Sequence, residues 1–223
     1  MDQSQKNSVG TAIDQNDFLP SPLSHEGWLE FNRLEWGVQP HRVSLSPADG
    51  KQTWSLETVF YTNRRGKLVM PPLNPFLPLR FTVPAARPGT AGRRWREAAT
   101  ELVALWRARG LAGTVCLPPG YQDVRPWLWH GFVAQPRYTY VIPLPLHEDV
   151  LEPDVRNKIR KARRLGYVCD RIDDFTSAME CLQAPEVRKG FSYSISAESL
   201  RRMKSCLGEN AVSGGHSSMS YTL

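Results

Sequence analysis

The chain runs to 223 residues, 41% of them hydrophobic and 22% charged, enough for one large domain, or one domain and part of another, around a true core. Lys and Arg number 28 against 22 Asp and Glu, a formal net charge of +6, and one stretch, Val155 to Tyr167, supplies all of it, so the basic character is local. No apolar run approaches the roughly 18 residues needed to cross a bilayer, and four cysteines and five histidines scattered without CxxC or HxxxH spacing argue against a metal centre.

The opening MDQSQKNSVGTAIDQND is polar and lacks the apolar segment of a secretory leader. Residues 1–23 read as a disordered lead-in. A cytoplasmic protein is expected, with Cys116, Cys169, Cys181 and Cys206 reduced. Ser24 can cap a helix through GWLEFNRLEW, where Trp28, Phe31 and Leu34 set a helical period and Gly37 ends it. HRVSLS and a turn at Pro47–Gly50 lead to QTWSLETVFYT, in which Trp54, Leu56 and Phe60 alternate with Ser55 and Glu57, the pattern of a half-buried strand. Asn63–Gly66 turns the chain into KLVMPP, for a meander of about three antiparallel strands.

The proline-rich PPLNPFLPLRFTVP, from Pro71, suits neither a regular helix nor a central strand, and its apolar content predicts a packed loop beside a groove. A long amphipathic helix is expected from about Ala91 to Arg109, with Trp95, Ala98, Ala99, Leu102, Leu105 and Trp106 facing inward and Gly110 and Gly113 closing it. GTVCLPP reads as a short buried strand. A helical turn with Trp127 and Trp129 ends at Gly131, and GFVAQPRYTYVIPL reads as another strand, with Tyr138, Tyr140, Ile142 and Leu144 on one face. The expected fold class is α+β: a mixed, largely antiparallel sheet flanked by helices.

The concentrated charge lies in VRNKIRKARRLGY. Asp154, with Pro153 before it, can cap a helix there, and Val155, Ile159 and Ala162 would form a core stripe. Arg156, Arg160, Arg163 and Arg164 share a neighbouring arc of roughly 100°, with Lys158 and Lys161 across the helix. Guanidiniums on one face suit bidentate binding of phosphate or carboxylate. Acids also crowd the flanks, at Glu148, Asp149, Glu152 and Asp154, then Asp170, Asp173 and Asp174, so an internally paired or solvated face explains the pattern equally well.

RNKIRKARRLGY after a YTYVIPL strand with a GF in front of it resembles the Fem-type aminoacyltransferases, which build peptidoglycan interpeptide bridges and have acyltransferase-like relatives in Gram-negative bacteria. GWLEFNRLEWG, PPLNPFLPLRF, WREAATELVALWRARG and LPPGYQDVRPWLWHGF echo that family in order, from about Ser24 to Gly208. The resemblance implies two tandem acetyltransferase-like (GNAT-type) domains. Residues 24–150 would form the first, and residues 151–223 the basic junction helix and an incomplete start of the second, with a hairpin of Ala211–Val212, a Ser213–His216 turn and Ser217–Leu223. It implies a substrate groove with Asn74 and Phe76 in its proline-rich loop, Arg125 before the short helix, and Arg156, Arg160, Lys161 and Arg164 on the junction helix. Phe76 and Leu77 stand where the family often has Tyr and Gly, a departure that weakens transfer of individual roles.

By that resemblance the chain is an acyl- or aminoacyl-transferase acting on an amine of a cell-wall or exopolysaccharide-related acceptor. Acyl-CoA or aminoacyl-tRNA would be the donor, and the anionic or lipid-linked substrate would lie on the arginine face. No bound cofactor is implied. RPGTAGRRW, from Arg87, is the stretch nearest to a phosphate-cradling glycine turn, though a plain connector before a helix accounts for it too. No catalytic residue emerges; Asp123 beside Arg125 can be read as a proton acceptor or as a helix cap. Two further classes stay open: a non-catalytic anion-binding module, and a nucleic-acid binder using the basic helix.

Overall fold

The computed structural model describes residues 21–50, 53–84, 86–139, 147–171, 174–180, 190, 195–210 and 214–217. The protein is α+β, with a small antiparallel sheet and helices, and divides into two compact units, Met1–Pro136 and Arg137–Leu223.

The described part of the first unit starts with a 3-10 turn, Pro22–Ser24, capped by the Ser21 hydroxyl, so residues 21–23 of the expected disordered lead-in are ordered, while residues 1–20 lie outside the described residues. Helix α1 spans Glu26–Trp36. Its N-cap is His25, whose Nδ1 accepts the Gly27 amide at 3.1 Å, rather than Ser24, whose hydroxyl instead donates to the Ser21 carbonyl at 2.8 Å. Gly37 ends the helix with φ 62°, a left-handed conformation that suits glycine. The buried face runs through Gly27, Leu29, Phe31 and Asn32; Leu34 points outward.

Strands β1 (Gln39–Leu45), β2 (Ser55–Thr62) and β3 (Leu68–Val69) form the expected meander, and β4 (Leu79–Thr82) joins it. β1 lies along one edge of β2. β3 and β4 share the other edge end to end, both antiparallel to β2. The prolines therefore interrupt a strand rather than exclude one. Residues 70–78 leave the sheet between β3 and β4, while LRFT pairs in register, Leu56 opposite Phe81. The Tyr121 hydroxyl covers the outer side of β4, accepting from the Phe81 amide at 3.1 Å and donating to the Leu79 carbonyl at 3.3 Å, which satisfies an otherwise open edge.

Strand β2 is central, and its second half is buried on both faces rather than half-buried. Val59 and Tyr61 pack with Leu29 and Val38 on the α1 side. Leu56 and Phe60 face helix α2 (Pro88–Ala108). From α2, Trp95, Ala98, Ala99, Leu102, Val103 and Trp106 are buried, with Val103 taking the place expected for Leu105. The helix starts three residues early because Pro88 sits at its first turn, where a missing N–H costs nothing. Trp95 contacts Phe81, Tyr121 and Trp127 at ring separations of 5.5, 4.6 and 5.9 Å, joining the sheet to the short helix α3 (Arg125–Trp129).

Among the described residues, neither of two expected strands forms a ladder. GTVCLPP contributes one parallel bridge, Gly113 with Leu68, and a hydrogen bond from the Leu77 amide to the Cys116 carbonyl. Its potential partners are split by the proline excursion, so no ladder grows. Residues 132–139 have no regular structure, and Val133 and Tyr138 are each 95% exposed. Tyr140, Ile142 and Leu144 lie outside the described residues.

In the second unit a 3-10 turn, Glu148–Val150, precedes α4 (Pro153–Arg164). Glu152 occupies the N-cap and Pro153 the first helical position, so Asp154 lies inside the first turn, where its charge complements the helix dipole. β5 (Val168–Arg171) pairs antiparallel with β6 (Gly214–Ser217). The expected turn at residues 213–216 is thus largely strand, and its partner is distant in sequence rather than the neighbouring arm of a hairpin. Helical residues 175–180 (α5) and α6 (Ala197–Leu207) carry a small core with Phe175 and Met179 buried. Ser196 and Ser199 cap α6 reciprocally.

Candidate functional site

The residues singled out from sequence fall into both units. In the first, Pro71 to Asn74 form a turn closed by the Asn74 amide on the Pro71 carbonyl at 3.1 Å. Pro72 and Leu73 are its central residues, and Leu73, at φ 66°, adopts a left-handed conformation that such turns normally give to glycine. Its side chain is 45% exposed. Asn74 is buried and holds the turn in place: its amide nitrogen donates to Asn32 Oδ1 at 2.9 Å and to the Pro72 carbonyl at 3.3 Å, and its oxygen accepts Trp28 Nε1 at 2.8 Å. Asn32 continues to the Trp28 carbonyl and the Tyr61 hydroxyl, at 2.9 and 3.2 Å. Burial pushes the Tyr61 phenol up to about 12, which keeps it neutral. Asn74 thus has its donors and acceptor engaged within the fold. Phe76 lies half-buried two residues further on.

Arg125 opens α3 and is fixed by Asp123 through two bonds, Nε to Oδ1 at 2.8 Å and Nη2 to Oδ2 at 2.7 Å. Arg96, from α2, reaches the same carboxylate at 3.3 Å, while the Asp123 carbonyl accepts Trp95 Nε1 at 2.8 Å. Held chiefly by the Arg125 hydrogen bond, with Arg96 adding to it, the Asp123 carboxyl falls to about 2. A carboxylate that acidic is a weak proton acceptor, so the cluster acts as a joint between α2 and α3. RPGTAGRRW forms no cradling loop either, because Gly89 and Gly92 lie within the first turns of α2.

The basic residues of the second unit behave differently. No residue of α4 is buried; Ile159 and Ala162 are half-exposed and Val155 is 41% exposed, so the apolar stripe is not a core face. Arg163 binds Glu148 through both terminal guanidinium nitrogens, Nη2 to Oε1 and Nη1 to Oε2 at 3.2 Å. Among the described residues Arg160 finds only Asn157, at 3.3 Å, and Arg156, Lys158, Lys161 and Arg164 form no ion pair. Arg156 Nε is enclosed without an acceptor. Among the described residues, one of the six cations is therefore neutralised internally. Asp149, Glu152 and Asp154, exposed ahead of the last two turns, complement the helix dipole instead.

Sequence reasoning missed the Asn32–Asn74–Trp28 network and the strain at Leu73. The first had a faint signal in a polar Asn32 amid an apolar helix face; the second had none. A shallow depression of about 220 Å³ lies between α1 and β1, with Glu26, Leu29, Glu30, Pro40 and Arg42 around it. Its charges are paired: Arg42 with Glu26 at 2.6 Å, and Glu30 with Arg33 at 2.7 Å. Among the described residues no cluster of His, Cys, Asp or Glu has the grouping of a metal site, and no helix is long and apolar enough to cross a membrane. Comparison with known proteins finds no matching family model, curated protein or solved structure.

Proposed function

We propose that the chain binds a phosphate- or carboxylate-bearing ligand on the basic face of α4. The observation that carries this reading is a helix on which, among the described residues, five of six cations lack an internal carboxylate, beside an enclosed Arg156 Nε that wants an acceptor. Three of the residues expected from sequence, Arg156, Arg160 and Arg164, belong to this face, and a fourth, Lys161, lies on the helix's far flank. Guanidiniums deliver paired N–H groups to an anion, and each charge-assisted bond made there contributes about 1.5–3 kcal/mol.

The finer reading is an acyl- or aminoacyl-transferase of the Fem-type, acetyltransferase-like plan, with acyl-CoA or aminoacyl-tRNA as the anionic donor. Its support is the order of sequence echoes, and a first unit whose α1 and α2 cover opposite faces of an antiparallel sheet is compatible with it. In such a transfer the acceptor amine attacks the donor carbonyl, a C–N bond forms, the C–S or C–O bond breaks and the amine loses a proton to water or a base. The alternative within the same reading is an anion-binding module without chemistry, and the low pKa of Asp123 favours it by removing the one carboxylate read as a base.

Titration with coenzyme A and with unfractionated tRNA tests binding. Arg160→Glu combined with Arg164→Glu is expected to weaken binding at least about tenfold at unchanged thermal stability. Release of free thiol from acetyl-CoA with a primary-amine acceptor, or discharge of aminoacyl-tRNA, separates the transferase from the module.

A further inference from the structure

A second basic surface lies in the first unit, formed by residues that the preceding reading does not use. The β2–β3 hairpin reads Asn63-Arg64-Arg65-Gly66-Lys67, and Asn63 Oδ1 accepts the Arg65 and Lys67 amides at 3.0 and 3.1 Å, folding the tip tightly so that its three cations project into solvent. The same hairpin is tied to the end of α2: the Leu68 amide donates to the Ala112 carbonyl at 2.9 Å, and Leu68 bridges to Gly113. Gly113 cannot be replaced there, because a Cβ would stand 2.0 Å from the Leu68 oxygen. That attachment brings Arg107 and Arg109, in and just beyond the last turn of α2, to the hairpin's end of the unit. Among the described residues none of these five cations has an ion-pair partner.

Arg107 also bonds the His130 carbonyl at 3.3 Å, fixing the end of α3 against α2. Phe132 turns inward onto Trp106, at 6.4 Å between rings. Its neighbours turn outward instead: Leu128 is 47%, Trp129 62% and Val133 95% exposed. No Asp or Glu occurs between Val124 and His147. One end of the unit therefore combines large exposed apolar side chains with unpaired cations and has no acid in that adjoining stretch.

We infer that this end, with Leu128, Trp129 and Val133 as its apolar tip and Arg64, Arg65, Lys67, Arg107 and Arg109 around it, docks the protein on an anionic lipid bilayer. The charge identifies the occupant as anionic. The apolar residues distinguish a bilayer from a nucleic acid: indole partitions into the headgroup region and aliphatic chains insert below it, whereas a single-stranded nucleic acid needs a series of stacking rings and makes no use of Leu128 or Val133. The surface is independent of α4, so either assignment can fail alone.

The test is flotation or sedimentation of the full chain with vesicles of phosphatidylcholine alone and of phosphatidylcholine mixed with phosphatidylglycerol. Binding is expected to the mixed vesicles, with little to the neutral ones. Arg64→Glu with Arg65→Glu should lower partitioning at least roughly 25-fold, since each lost cation near an anionic surface weakens it about fivefold. Trp129→Ser with Val133→Ser, both at exposed positions that leave the core untouched, should also release the protein. Arg160→Glu with Arg164→Glu should leave vesicle binding as it was. Equal binding to both vesicle types, or no loss in the Trp129/Val133 variant, would overturn the inference, as would tight binding of single-stranded RNA through the same residues with no affinity for the mixed vesicles.

Discussion

The two units treat the residues expected at a binding site in opposite ways. The first concentrates large aromatic side chains around one central strand and commits the polar groups of its expected site to internal partners: Asn74 to Asn32 and Trp28, Asp123 to Arg125 and Arg96, with Tyr121 closing the open edge of β4. In the second, no residue of α4 is buried, and among the described residues most of that helix's cations have no internal carboxylate. A group satisfied within the fold is spent on holding it together; one left without a partner is available to a ligand. The contrast explains why Arg125 and Arg160, both arginines in expected site positions, come out differently. Each would attract an anion, yet Arg125 already holds one.

The widest gap between the units should appear on truncating their helices. Trp106→Ala removes a fully buried side chain that packs on Phe60, and should cost about 3–5 kcal/mol in urea unfolding. Ile159→Ala, on a half-exposed α4 face, should cost less than about 1 kcal/mol. Similar costs at the two sites would erase the distinction.

Asn74→Ala leaves Trp28 Nε1 and Asn32 Oδ1 without partners inside the first unit and should cost about 2–3 kcal/mol, again by urea unfolding. Asp123 gives a pH signature. Its folded pKa of about 2 lies below the ordinary value of 3.8, so its stabilisation is complete above about pH 4 and fades as the pH falls toward 2. After allowance for solvent screening this amounts to about 1 kcal/mol. Asp123→Asn should flatten that acid limb of the stability curve. Leu73→Gly should stabilise by about 1 kcal/mol by relieving its left-handed backbone, a rise in melting temperature that marks the turn as strained. The smallest effect belongs to the second unit: Glu148→Gln frees Arg163 and should tighten anion binding a few-fold with stability nearly unchanged.

Much of the first unit was legible because its signals are local. The apolar period of α2, the αL glycine after α1 and the alternation in β2 each follow from backbone geometry. What escaped depends on partners distant in the chain. LRFT is a strand because β2 offers it an edge, despite the prolines before it. GFVAQPRYT alternates like a strand yet lacks a ladder among the described residues. Gly214–Ser217 looks like a turn and pairs with Val168–Arg171. The site followed the same rule. The basic face of α4 was readable from helical spacing, while the capture of Arg125 by Asp123 and of Asn74 by Asn32 needed the third dimension.

The central claim is that α4 presents its cations to a ligand rather than to solvent alone. Calorimetric titration of coenzyme A into the full chain and into the Arg160→Glu, Arg164→Glu variant, at low and at physiological salt, tests it most directly. The account predicts binding that weakens with salt and falls at least about tenfold in the variant, with equal melting temperatures for both proteins. Equal affinity in the two proteins, or no binding to the unaltered chain at low salt, would contradict it.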